Sequence, residues 1–348
     1  MSLPVLPPQP ANVPWPSQAW PERAPSSEVD VVRLETALGQ AFADPPPSDV
    51  GATHALVVIH RGELVAERYD ADAGPETTLP SWSMAKSVLH ALVGILVREG
   101  RLEIEAPADV PAWQQEGDPR RAITLDQLLR MSSGLRFDEE YTDPDSSSTI
   151  QMLFGPGRDD VAAFAADFEL LHEPNSVWSY SSGTSNIVAE IIGRRVGGGE
   201  AGMRAFMKSE LLDRIGMRSA KPRFDAAGTW LGSSFLFANA RDFARFGLLC
   251  LRDGLWEAER ILPEGWMDYA RTPTPASGGE YGAHFWLATD GTGTFSANGY
   301  RGQYTVIVPE RDLVIVRLGT SMPEQKRGTL LLLSELVQCF PTRPAARP

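Results

Sequence analysis

The segment Pro80-Ser81-Trp82-Ser83-Met84-Ala85-Lys86-Ser87-Val88-Leu89-His90 constrains this chain more than any other. It runs on into Ala91-Leu92-Val93-Gly94-Ile95-Leu96-Val97 and stops at Gly100. So few polar residues in so long a run predict a buried helix. Ser83 and Lys86 stand three apart at its start, and positions i and i+3 share a helical face, so a hydroxyl and an amine can meet there. Amides at a helix N-terminus favour negative charge, which suits an oxygen about to become an alkoxide. Burial would lower the pKa of the amine and let it act as a base. The chain has four lysines, and the residues three before the other three are Ala205, Arg218 and Pro323. Ser-x-x-Lys therefore occurs once, inside an apolar segment. The competing reading is a serine N-cap followed by a lysine that snorkels to the surface.

A serine without help is a poor nucleophile at neutral pH; it needs a base, and its intermediate needs an oxyanion site. No Gly-x-Ser-x-Gly elbow occurs. The five histidines, His54, His60, His90, His172 and His284, lie in no motif that marks a catalytic base, so a histidine triad is the weaker alternative. Neither His-Glu-x-x-His nor a His/Cys cluster with ligand spacing is present, and no metal or cofactor is implied.

The 348 residues carry a net charge of −13, which argues against nucleic acid or an anionic membrane as partner. No apolar run is long enough to span a bilayer, and Cys250 and Cys339 read as core thiols. Met1 to Pro25 has no basic start and no apolar core of a signal peptide, so the expectation is a cytoplasmic protein. That same stretch, residues 1–25, reads as a proline-rich extended arm carrying Trp15 and Trp20.

Val31 to Phe42 has helical spacing. Ala55 to Ile59 and Leu64 to Tyr69 form a hairpin around Arg61-Gly62. Ile123 to Met131 is a short helix capped by Thr124, followed by the long polar loop Phe137 to Pro144. Helices are expected over Asn186 to Val196, Met203 to Arg214, Ala240 to Leu251 and Leu330 to Phe340, with a strand over Gly232 to Phe237. Tyr304 to Val308 and Leu313 to Arg317 make a second hairpin. Strands at both ends around a helical middle predict an α+β fold. Its antiparallel sheet comes from residues 26–100 and 221–348 and is covered by terminal helices, with residues 101–220 as a helical insertion.

Ser83-x-x-Lys86, then Tyr180 in Tyr180-Ser181-Ser182-Gly183, then a glycine-rich approach to two C-terminal strands, resembles the serine β-lactamase superfamily. The resemblance extends over about residues 50–340 and includes Leu125-Asp126-Gln127-Leu128-Leu129-Arg130-Met131-Ser132-Ser133-Gly134 and Ala240-Arg241-Asp242-Phe243-Ala244-Arg245-Phe246-Gly247. It lies nearest the branch of class C β-lactamases, esterases and DD-peptidases. The resemblance implies Ser83 as the acylated nucleophile, Lys86 as the amine beside it, and Tyr180 as a proton relay that acts first as base and then as acid. A phenol and an amine, both with pKa near 10 in water, can divide one proton when desolvated together.

Two departures bear on the substrate. Ser182 stands where that branch carries Asn in Tyr-x-Asn, and a shorter hydroxyl reaches a substrate amide less well. Ala297-Asn298-Gly299 stands where a Lys/His-Thr/Ser-Gly motif is usual, so the cation that would hold a β-lactam carboxylate is missing unless Arg301 replaces it. Gly299 keeps the backbone open, so that the amides of Ser83 and Tyr300 form the implied oxyanion hole. These features favour a neutral small-molecule ester, or a linear or small cyclic amide. They resemble the esterase-like group that includes the aminohexanoate-dimer hydrolases, a group that shares Ser-Met-Ala-Lys and a tyrosine after Ser-Ser-Gly, here Tyr141. Tyr141 is then expected to hydrogen-bond the leaving amine. A weak β-lactamase, a D-amino-acid peptidase, and a non-catalytic ligand-binding member remain as alternatives.

Overall fold

The computed structural model describes residues 3–343. Its centre is a six-stranded antiparallel sheet of β1 (Ala52–His60), β2 (Glu63–Tyr69), β3 (Trp286–Leu287), β4 (Phe295–Gly299), β5 (Gln303–Val308) and β6 (Leu313–Thr320). The spatial order is β2-β1-β6-β5-β4-β3, so the first strand pairs with the last and the chain ends close the sheet. Arg61 and Gly62 both have positive φ (54° and 82°), the two-residue hairpin turn whose twist matches that of its strands.

Both faces of the sheet are covered, which explains why β1 and β6 read as unbroken apolar runs rather than alternating ones. Leu56 and Val58, with Leu313 and Ile315, face the terminal helices α1 (Val31–Ala41) and α5 (Lys326–Gln338). Their neighbours Ala55, Val57 and Ile59, with Val314 and Val316, face the opposite way. There they meet α2 (Met84–Arg98) and α4 (Ala240–Leu251). Each such valine, leucine or isoleucine contributes about 1.5–3 kcal/mol of burial, and a strand slipped by one residue would exchange the two sets.

The intervening chain is helical, and its longest element is α3 (Ser182–Val196). Asp30 caps α1 by accepting from Arg33 N at 3.0 Å. The helix expected over 123–131 is limited to Leu125–Leu129, with the predicted Thr124 cap completed by Gln127. The strand expected over 232–237 is confined to Leu236–Ala238, because the residues before it form a turn. Most consequential for the cleft, α5 begins at Lys326 rather than Leu330.

The proline-rich arm lies along the body. Arg252, Arg245 and Arg271 donate to the carbonyls of Pro7, Pro16 and Pro4, which the extended chain leaves unpaired. Trp20 is buried, and Trp15 packs on Trp256 at 5.0 Å. Among the described residues, no helix is long and apolar enough to cross a membrane.

Candidate active site

Local pairing fixes the approach to the nucleophile. Residues 79–80 pair with 237–238, Ser81 N donates to Leu236 O at 2.9 Å, and Leu236 N donates back to Ser81 Oγ at 3.1 Å. Trp82 then turns the chain into α2 with φ +45°, a left-handed conformation costing on the order of 1–2 kcal/mol for a residue with a side chain. Its ring is wedged between Phe235 and Tyr300, at 5.6 and 5.5 Å, which holds the turn. Ser83 follows at the N-cap position of α2. Its side chain makes no capping bond, so the hydroxyl remains free for Lys86.

Lys86 does not reach the surface. It is 1% exposed, and its Nζ donates to Ser83 Oγ (3.2 Å), Ser182 Oγ (3.0 Å) and the Ser233 carbonyl (2.9 Å). Burial pulls its pKa down to about 8, against the pull of the Glu139 carboxylate, which favours the ammonium. At pH 7 about a tenth of the amine is then neutral. Tyr180 enters from the loop before α3, with its ring centroid 4.9 Å from the same Nζ. Burial and the Glu139 charge raise the phenol well above its ordinary range, and the opposing influence of the Ser83 hydroxyl is smaller. The resting state therefore holds Tyr180 as phenol. The phenolate base expected from the sequence is disfavoured, and the neutral fraction of Lys86 is the available base.

Sequence reasoning missed Glu139. Its Oε1 accepts from Ser182 Oγ (2.6 Å) and from the Tyr141 hydroxyl (2.5 Å), and its Oε2 accepts from Ser182 N (2.7 Å). A continuous polar path thus runs Lys86–Ser182–Glu139–Tyr141. The only sequence signal was the loop that carries Glu139, whose polar and aromatic make-up suggested a site lining but singled out no residue. Ser182 is placed differently from expectation: its hydroxyl is engaged by Lys86 and Glu139, and it does not line the cleft. Tyr141 donates its hydroxyl hydrogen bond to Glu139 and stacks on Tyr300 at 5.2 Å.

The far wall is the end of β4 and the turn after it. A Cβ on Gly299 would collide with the Ser81 carbonyl, so the close approach of β4 to the nucleophile's turn requires glycine. Neither the Ser83 nor the Tyr300 backbone N–H has a hydrogen-bond partner among the described residues. Asn298 lines the cleft, and its Oδ1 is buried without a partner. The cavity between these walls is about 420 Å³, and its lining includes Ser83, Glu139, Tyr141, Tyr180, Trp286 and Asn298. That is space for a small molecule.

None of the five histidines lines this cavity. His284 is buried behind α2, where Nδ1 bonds the Lys86 carbonyl (2.9 Å) and Nε2 bonds Ser185 Oγ (3.2 Å), and burial lowers its pKa to about 3. It pins the first turn of α2 as a neutral ring.

A lysine buried against a helix-start serine, beneath a sheet closed by both chain ends, is the architecture of the serine β-lactamase superfamily. The chain belongs to the Beta-lactamase family, whose pattern matches residues 49–337. It is 26% identical over 325 residues to the 6-aminohexanoate-dimer hydrolase of Paenarthrobacter ureafaciens, covering 88% of this chain and 82% of that one. Among solved structures it superposes on a family VIII carboxylesterase with a TM-score of 0.66 and 15% identity, over 91% of this chain and 99% of the other. A penicillin-binding protein homologue from Caulobacter crescentus gives 0.64 and 18%, over 91% and 98%. These two likenesses speak to the fold alone.

Proposed function

We propose that the protein is a serine hydrolase that cleaves carboxylic esters, or linear or small cyclic amides, through an acyl-enzyme on Ser83. The observation that carries this reading is the buried Lys86 amine, 3.2 Å from Ser83 Oγ and with its pKa drawn to about 8. In the forward step Ser83 Oγ attacks the substrate carbonyl carbon and its proton passes to neutral Lys86. The negative oxygen so formed lies against the unpartnered amides of Ser83 and Tyr300. The Tyr180 phenol protonates the leaving group as the carbonyl–heteroatom bond breaks, and Lys86 returns a proton to the phenolate. Water then attacks the acyl-enzyme by the same route in reverse, releasing the acid and restoring the Ser83 hydroxyl.

The third-motif segment Ala297-Asn298-Gly299 disfavours the β-lactamase and peptidase readings, since it supplies no cation. The non-catalytic reading gives no reason to bury an amine at a desolvation cost beside a free hydroxyl.

The test is a fluorophosphonate probe with intact-protein mass, run with a panel of short-chain 4-nitrophenyl esters, an aminohexanoate dimer and a chromogenic cephalosporin. One adduct on Ser83, none on Ser83→Ala, and ester turnover lost in that variant are expected, with the cephalosporin slowest. Equal ester hydrolysis by Ser83→Ala would remove the mechanism, and a dominant cephalosporinase rate would overturn the substrate assignment.

A further inference from the structure

The turn that carries the Tyr300 amide is held by two buried side chains, Gln303 and Arg317, that do not line the cleft. Gly299 pairs with Gln303, so the turn between β4 and β5 is three residues, Tyr300, Arg301 and Gly302. Both Arg301 and Gly302 have positive φ, 59° and 82°. A three-residue hairpin ordinarily needs one left-handed residue, and a second one with a side chain persists only where its surroundings over-determine it. Here they do. Gln303 Nε2 donates to the carbonyls of Tyr300 (3.1 Å) and Arg301 (3.1 Å), and to Gly319 O (2.7 Å) in β6, while Gly319 N donates back to Gln303 Oε1 (3.0 Å). Ser321 N donates to Arg301 O at 2.9 Å, and Arg317 Nη1 donates to Gly302 O at 2.7 Å. Every carbonyl of the turn is thus tied to the body of the sheet, and the Tyr300 N–H is left free. Arg317 gives its other donors to Thr53 Oγ1 (3.1 Å) and to the carbonyls of Ala52 (3.1 Å) and Val50 (3.5 Å). Among the described residues no carboxylate pairs with it. Gly302 makes room for it, since a Cβ there would meet Arg317 Nη1 and Ser321 Oγ. A fully buried guanidinium that meets only neutral oxygens carries a desolvation cost no counter-charge offsets, which asks for a role beyond stability.

We propose that Gln303 and Arg317 are positioning residues, which lock the three carbonyls of the Tyr300 turn so that its amide is preorganised for the oxyanion of the Ser83 adduct. This rests on the hydrolase reading and deepens it, by naming what holds one of the two oxyanion donors in place. A donor aimed in advance stabilises the developing charge without reorganising during the step. A turn with two left-handed residues would relax without its clamp, and a small displacement of the donor is enough to weaken the contact. The Arg317 charge, left uncompensated beside the turn, also has the sign that favours an oxyanion there.

The experiment reads acylation and transition-state affinity together. Gln303→Met keeps the length of the side chain and removes its polar atoms. Gln303→Glu keeps the acceptor for Gly319 N and gives the turn no donor. Arg317→Lys keeps the charge and loses the planar fork. Leu38→Ala is the stability control, because Leu38 is buried in α1 against the other face of the sheet and its truncation destabilises without touching the turn. Acylation is followed as the burst with 4-nitrophenyl butyrate, and stability as Tm. Affinity is compared for hexyl trifluoromethyl ketone and hexyl methyl ketone. Ser83 Oγ adds to the carbonyl carbon of the first, the π pair moves onto oxygen as an oxyanion, and the Ser83 proton passes to Lys86, whereas the second binds without adding. In both Gln303 variants acylation should fall about 10-fold to 10²-fold. The ratio of the two ketone affinities should fall with it, and the methyl ketone should bind as in the parent. Arg317→Lys should move both readouts in the same direction by less, while Leu38→Ala lowers Tm and moves neither. Acylation within about threefold of the parent in the Gln303 variants, a ketone ratio that stays while acylation falls, or an equal fall in Leu38→Ala overturns the proposal. Should Gln303→Met fail to fold, Gln303→Glu is judged by the same criteria. If the parent cleaves the ester no better than Ser83→Ala does, the hydrolase reading has failed and this one with it. A working esterase indifferent to Gln303 fails this one alone.

Discussion

Replacing Glu139 by Gln probes how the site manages its proton. The carboxylate is linked to Lys86 through Ser182 by hydrogen bonds of 3.0 and 2.6 Å, so the two charges lie no more than about 5.6 Å apart. At an effective dielectric of 20 that separation gives ~3 kcal/mol of attraction for the ammonium. Solvent on the open side of the cleft reduces it, leaving an effect of about one to two pH units on the Lys86 titration. The sign follows from the charge: Glu139 favours protonated Lys86, so removing it releases the proton at lower pH. Gln keeps the size of the side chain and one acceptor for the Tyr141 and Ser182 hydroxyls. The assay is kcat/KM for a 4-nitrophenyl ester from pH 5.5 to 9.5. Parental activity should rise with pH through a limb near 8, as neutral Lys86 accumulates. In Glu139→Gln the limb should move one to two units toward acid, with a lower plateau because the amine is a weaker base. A limb that stays near 8, or moves toward alkali, would refute the assignment of Lys86 as base and Glu139 as the charge that loads it.

Lys86→Met should cut kcat/KM by about 10³-fold while making the fold more stable. The folded chain binds the Lys86 proton more weakly than the unfolded chain, at about 8 against 10.5. The cost of burial, ~3 kcal/mol, is thus in force below pH 8 and fades as pH rises toward 10.5. The rise in Tm should therefore be larger at pH 7 than at pH 10, and equal shifts at both would contradict the burial argument. Gly299→Ala places a methyl group against the Ser81 carbonyl and pushes the Tyr300 amide away from Ser83. Burst kinetics should show acylation slowed about 10²-fold, the scale of one lost oxyanion donor, and parental acylation would argue against the hole formed by Ser83 and Tyr300.

Ser83 and Lys86 were legible in the sequence because helical periodicity is local: three residues of separation place two side chains together whatever surrounds them. The sheet shared by the chain ends was legible as well, since both of its hairpins announce themselves through turn residues and apolar runs. Glu139, the reversed orientation of Ser182 and the arrival of Lys326 beside Trp286 were not. Each depends on segments distant in sequence: a polar loop brought over Ser182, and a helix that starts four residues before its apolar pattern does. No period in the chain encodes such meetings, because they are set by how the sheet, α3 and α5 pack. Local pattern thus determined that a hydroxyl and an amine would meet in an apolar helix. Tertiary packing decided which carboxylate tunes that amine, and which residues close the cleft around the hydroxyl.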